Sequence, residues 1–202
     1  MDGQEIEVKF LLADLAAFRA RLVDAGAALT GDRVHEINLR FDLPDRALTQ
    51  QHKVLRLRKD RLARLTFKGP AQAGQSVTVR TEIEVEVSDF EAAKRLLEAL
   101  GYEVSVMYEK YRTTFQFDHA EIVIDELPFG NFVEIEAGDA AAVQSIASGL
   151  ALRWEARITD SYLALFNRLQ TNLGTHIRDL SFADLRGIAF TPADLGIAPG
   201  DH

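Results

Sequence analysis

The sequence predicts a mixed α+β protein built on an antiparallel sheet. About eight short runs alternate apolar and charged residues, segments of helical spacing interrupt them, and no regular βαβ alternation marks a parallel sheet. The first run, EIEVKFLL, places Glu5, Glu7 and Lys9 on one face and Ile6, Val8, Phe10 and Leu12 on the other. A helix follows from an N-cap at Asp14, with Leu15, Phe18 and Leu22 at three- and four-residue spacing and Gly26 near its end. Asn38, Arg40 and Asp42 then oppose Ile37, Leu39, Phe41 and Leu43; Arg56 and Arg58 oppose Leu55 and Leu57; Arg64, Thr66 and Lys68 oppose Leu65 and Phe67. In VTVRTEIEVEV, Arg80, Glu82, Glu84 and Glu86 share the face opposite Val79, Ile83, Val85 and Val87. A second helix is expected from Ser88, with Glu91 completing a capping box and Gly101 ending it. Lys110 and Arg112 lie opposite Tyr111, Phe115 and Phe117, and two short strands carry Glu121 with Asp125 and Glu134 with Glu136. Helices near 139–149 and 160–172 complete the series. Residues 1–172 read as one domain, and 173–202, richer in Gly and Pro, as a loosely attached extension.

Strands this charged on one face have two arrangements. In one, the charged faces meet water and pair across strands, each pair contributing about 0.2–1 kcal/mol. In the other, the sheet closes into a barrel with the charges inside and helices over its apolar exterior, which also removes the sheet edges. Periodicity does not choose between them.

The chain has 202 residues, 47% of them apolar, enough for a large core without disulfides, and it has no cysteine. A net charge of −8 argues against nucleic acid or an anionic membrane as partner. Nothing near Met1 reads as a signal peptide and no run approaches the ~20 apolar residues of a membrane span, so a cytoplasmic protein is expected.

The strand faces carry the chemistry. Clustered carboxylates repel unless a cation sits among them, and an all-oxygen set favours a hard ion such as Mg2+ or Mn2+. Clustered Lys and Arg want a polyanion, arginine because its planar fork matches phosphate. Metal beside phosphate points to phosphoryl chemistry. The five histidines show no metal-binding spacing, Ser161 has no GxSxG setting, and residues 69–74 make no P-loop.

Several ordered motifs carry a resemblance. Glu5-Ile6-Glu7-Val8-Lys9 resembles the ExExK signature of the CYTH superfamily of triphosphate tunnel metalloenzymes, which includes class IV adenylyl cyclases and thiamine triphosphatases. Leu55-Arg56-Leu57-Arg58, Leu65-Thr66-Phe67-Lys68-Gly69, Arg80-Thr81-Glu82-Ile83-Glu84, Lys110-Tyr111-Arg112, Ile124-Asp125, the run Gly130–Glu136 and Ser161-Tyr162 follow its LRxR, LTxKG, RxExE, KxR, closing-strand and SY motifs. The likeness covers roughly residues 4–169. Phe41 replaces a Tyr common there, and Val8 replaces an Arg of one triphosphatase subgroup.

The resemblance implies a closed eight-stranded antiparallel barrel forming a tunnel. It implies metal ligation by Glu5, Glu7, Glu134 and Glu136, with Asp125 and Glu84 as further candidates, and a phosphate grip by Lys9, Arg56, Arg58, Lys68, Lys110 and Arg112. Arg80 and Arg40 either join that grip or hold a carboxylate, and Glu5, Glu7 and Lys9 are central to catalysis. The expected activity is metal-dependent hydrolysis of a triphosphate, inorganic triphosphate first, with ATP and thiamine triphosphate as other substrates. A class IV adenylyl cyclase and a non-catalytic polyphosphate-binding module are the alternatives, and a homodimer is left open.

Overall fold

The computed structural model describes residues 3–201; Met1, Asp2 and His202 lie outside the described residues. Eight strands form one antiparallel sheet: β1 (Gly3–Leu12), β2 (Ala28–Asp42), β3 (Val54–Lys59), β4 (Ala63–Lys68), β5 (Thr78–Val87), β6 (Glu103–Phe117), β7 (Ala120–Leu127) and β8 (Gly130–Glu136). β1 pairs with β5 on one side and β8 on the other, so the hydrogen bonds close a ring in the order β1-β5-β4-β3-β2-β6-β7-β8. Of the two arrangements open from periodicity, the ring is the one the chain adopts.

Register places the charged faces inside. Glu5 stands opposite Arg80, Lys9 opposite Glu134, Lys68 opposite Glu82, and Arg112 opposite Asp125. Directly opposed residues in antiparallel strands point to the same side, so these pairs line one interior. The apolar face turns outward against helices. α1 (Leu15–Asp24) and α4 (Ala140–Gly149) bury Phe18, Leu22, Val143 and Ala147 against Val8, Phe10, Ile122, Val133 and Ile135. α3 (Phe90–Ala99) packs Leu97 with Phe41 and Leu57. Its N-cap is Asp89, whose side chain accepts from the Ala92 N–H, and not Ser88 as expected: a carboxylate at the helix start complements the dipole.

β2 and β6 extend well beyond their alternating stretches, at 15 residues each. Residues 28–35 of β2 are mostly exposed and pair with β6 through register shifts at Leu29/Gly31 and Gly31/Val34, which erases the alternation that would mark them. A four-residue helix, α2 (Ala47–Gln50), has its first turn capped by Asp42, which accepts from Leu48 and Thr49 N–H groups.

The C-terminal segment is not loosely attached. α5 (Tyr162–Leu173) and Leu180, Leu185 and Leu195 form one apolar cluster with Leu11, Leu127, Phe129 and Phe132. Leu11 and Phe132 have the parity of the interior face, so α5 closes one end of the ring. Leu180 exchanges backbone hydrogen bonds with Met107 and Glu109, occupying the edge of β6 that β7 leaves free by pairing only from Tyr111 onward. Asp201 accepts from the Ala13 and Asp14 N–H groups. The Gly and Pro content that suggested a loose tail serves its tight turns instead. Among the described residues no helix is long and apolar enough to cross a membrane.

Candidate active site

Period-two alternation on eight paired strands concentrates opposite charges in one cavity of about 1210 Å³. Glu5, Glu7 and Glu136 each offer an oxygen within 4.8 Å of the others, the one group of three acids so placed among the described residues. Glu5 is bracketed by cations, accepting from Lys68 Nζ at 2.5 Å and Arg80 Nε at 2.6 Å. Burial alone would raise its pKa; Lys68 and Arg80 override that and bring it to about 2. Glu136 lacks such cations. Partial burial and the carboxylates of Glu5 and Glu7, with Glu121 and Glu82, push it up to about 7. These three carboxylates could together hold a cation, and their all-oxygen donor set suits a hard ion.

Lys9 Nζ lies 2.5 Å from Glu7 and 3.4 Å from Glu134. Glu134, Asp125 and Glu84 fall outside the three-acid cluster and hold cations. Asp125, wholly buried, accepts from Lys110 at 2.7 Å, from both nitrogens of the Arg112 fork and from the Tyr162 hydroxyl at 3.0 Å. Glu134 accepts from Arg112 at 2.6 Å, and Glu84 from Arg58 and Thr66. Of the two arginines with open roles, Arg80 holds a carboxylate, whereas Arg40 Nε is buried with no partner. Arg56 and Arg58 also bury an Nε with none. Burial and Arg56 depress the pKa of Arg40 despite Tyr108 nearby.

Three interior residues escaped the sequence reading. Glu36, 1% exposed, shares the parity of Asn38 and Arg40, so extending that alternation two residues towards the N-terminus would have found it. Tyr108 shares the parity of Lys110 on β6. Tyr162 had a motif but no role; on α5 its ring sits 5.7 Å from Lys9 Nζ and 5.4 Å from Lys110 Nζ. Arg46, Lys53, Gln170 on α5 and, from the C-terminal segment, Arg178 also line the cavity, and no strand period could have announced them.

The comparisons agree with this architecture. The CYTH domain family model matches residues 3–153. A candidate adenylate cyclase of Methanocaldococcus jannaschii is 25% identical over 186 residues, covering 91% of this chain and 99% of its own length. Among solved structures, a candidate adenylate cyclase from Vibrio parahaemolyticus superposes with a TM-score of 0.73 at 25% identity, over 83% of this chain and 99% of that one. A Hippeastrum protein, described as a candidate adenylyl cyclase with a dominant triphosphatase activity, has a TM-score of 0.61 at 19% identity, over 86% and 97% of the two chains. With an eight-stranded antiparallel ring, an acid cluster facing a lysine and arginine set, and a family match over three-quarters of its length, this chain belongs to the CYTH domain family.

Proposed function

We propose that the protein hydrolyses a triphosphate, inorganic triphosphate in the first place, with the help of a divalent cation inside the ring. One observation carries the reading: the buried Nε atoms of Arg40, Arg56 and Arg58 have no hydrogen-bond acceptor, opposite an acid cluster. A buried guanidinium nitrogen without a partner forfeits its hydration, and phosphate oxygens are the acceptors its geometry fits.

Glu5, Glu7 and Glu136 would hold the cation, Mg2+ or Mn2+, which supplies neutralisation of charge on the phosphate oxygens. Lys9, Arg56, Arg58, Lys68, Lys110 and Arg112 bind the chain of phosphates and neutralise the leaving diphosphate. Water adds to the terminal phosphorus, the phosphoanhydride bond breaks to the diphosphate oxygen, and the water's proton is lost to solvent. Holding the triphosphate in line with that water accounts for most of the catalysis in a reaction with little covalent chemistry for the protein. The dominant activity described for the Hippeastrum neighbour supports this reading.

The names of the Methanocaldococcus and Vibrio relatives support a second one, cyclisation of ATP by its 3′-hydroxyl with loss of pyrophosphate on the same phosphate grip. Product analysis separates the two: purified protein with Mg2+ or Mn2+ is given tripolyphosphate, ATP or thiamine triphosphate. Release of orthophosphate is expected, and cyclic AMP as the main product overturns the first reading.

A further inference from the structure

Glu36 sits among cations without bonding any of them. The residue is 1% exposed. Arg58 Nη1 and Lys110 Nζ each approach to 3.7 Å and Arg112 Nε to 3.9 Å, all beyond hydrogen-bond reach, and its Oε2, which faces Lys110, makes no hydrogen bond. Each of those cations is oriented by another acid. Lys110 and Arg112 donate to Asp125 at 2.7 Å, Arg112 also to Glu134 at 2.6 Å, and Arg58 to Glu84 at 3.3 Å. Glu36 therefore adds little to the aim of these side chains and a full negative charge to their surroundings. Burial alone would raise its pKa, but Lys110, Arg112, Arg58 and Arg56 override that and bring it to about 2, so Glu36 is ionised and what it brings to this wall is its charge rather than a hydrogen bond.

We propose that Glu36 is an internal counter-charge that weakens the hold of Lys110, Arg112 and Arg58 on polyphosphate, so that the product diphosphate can leave. The inference rests on the reading of this cavity as a polyphosphate site. It deepens that reading by naming the residue that sets how tightly the site binds. A phosphate gripped by these cations would lie within roughly 8 Å of Glu36, and at the effective dielectric of a protein interior a unit charge at that range still changes the affinity for a polyanion by about an order of magnitude.

Glu36→Gln keeps the shape and removes the charge. Titration calorimetry with tripolyphosphate and with pyrophosphate, in EDTA, compares it with the unaltered protein. The dissociation constants of Glu36→Gln should be at least about tenfold lower, and under turnover KM and kcat should fall together, because release becomes limiting. A residue that merely props the fold would give looser binding on replacement. Equal or weaker binding by Glu36→Gln, with the unaltered protein binding normally, overturns the role of Glu36 alone. Failure of the unaltered protein to bind either anion overturns the polyphosphate reading and this inference with it. If Glu36→Gln is unfolded by itself, millimolar tripolyphosphate should restore a cooperative melt, since the anion supplies the missing charge; no recovery shows Glu36 to be structural and overturns the proposal.

Discussion

The phenol of Tyr162 donates to Oδ2 of Asp125 across 3.0 Å, joining the helix that closes the ring to the carboxylate that anchors Lys110 and Arg112. Both groups are buried, and burial together with Asp125 and Glu134 raises the pKa of Tyr162 well above its usual value, so the hydroxyl keeps its proton. Tyr162→Phe removes one hydrogen bond from an acid that retains three others, and should lower stability by about 1–2 kcal/mol. Asp125→Ala leaves the buried Lys110 without its main partner and Arg112 with Glu134 alone, and should be worse, about 3–5 kcal/mol. Urea denaturation of both variants checks the order; a larger loss for Tyr162→Phe would mean that α5 rather than the ion pairs depends on this contact.

Glu136 and Glu5 should give stability opposite pH dependences. In the metal-free protein Glu136 titrates near 7 and a free glutamate near 4.5, so between those values the folded state holds a proton that the unfolded chain has released. This group makes the protein less stable as pH rises from about 4.5 to 7. Glu5, held at about 2, contributes stability that is present above about 4.5 and lost as pH falls towards 2. Glu136→Gln should therefore raise the metal-free Tm at pH 8 and leave it nearly unchanged at pH 4.5. Mn2+ binding near pH 6.5 should release a proton from the unaltered protein but not from Glu136→Gln, read by calorimetry in buffers of different ionisation enthalpy. Equal proton release from both would place the titrating group elsewhere.

Much of this was legible because the side-chain period of a strand is two. Glu5, Glu7 and Lys9 could be put on one face before any coordinates, and with them the charged interior once the sheet was known to close. Closure itself is a property of which strands pair: β1 meets β5 and β8, partners about 75 and 125 residues away along the chain, and no local pattern reports that. The division of labour among the acids was hidden for the same reason. Asp125 and Glu136 look alike in sequence, yet one faces Lys110, Arg112 and Tyr162 and the other faces Glu5 and Glu7. The C-terminal segment was misread because its irregular backbone has no period to recognise, although Leu180 is as deeply buried as any core residue.

Leu180 tests that segment directly. Its side chain is fully buried beside Tyr108, and its backbone completes an edge of β6. Leu180→Ala should destabilise the whole protein by about 2–5 kcal/mol, a fall in Tm of roughly 5–15 °C for a chain of this size. The melt should remain a single transition, since the segment shares the cluster that packs Leu11 and Phe132. Independent early melting of the tail, with the main transition unmoved, would restore the picture of a loose extension.

Arg58 discriminates a phosphate grip from a nucleoside pocket. Its guanidinium is anchored by Glu84 at 3.3 Å, while its Nε is buried without a partner. A group placed to bind phosphate oxygens is blind to what the phosphate chain carries, so Arg58→Ala should lower kcat/KM about 10- to 100-fold for tripolyphosphate, ATP and thiamine triphosphate alike, with their ratios preserved to within about threefold. Arg58→Lys restores the charge but not the planar fork, and should recover only part of the loss. A loss confined to ATP would instead make Arg58 a contact to the nucleoside and favour the cyclase reading, because only that reaction needs the base and ribose to be held at the tunnel mouth.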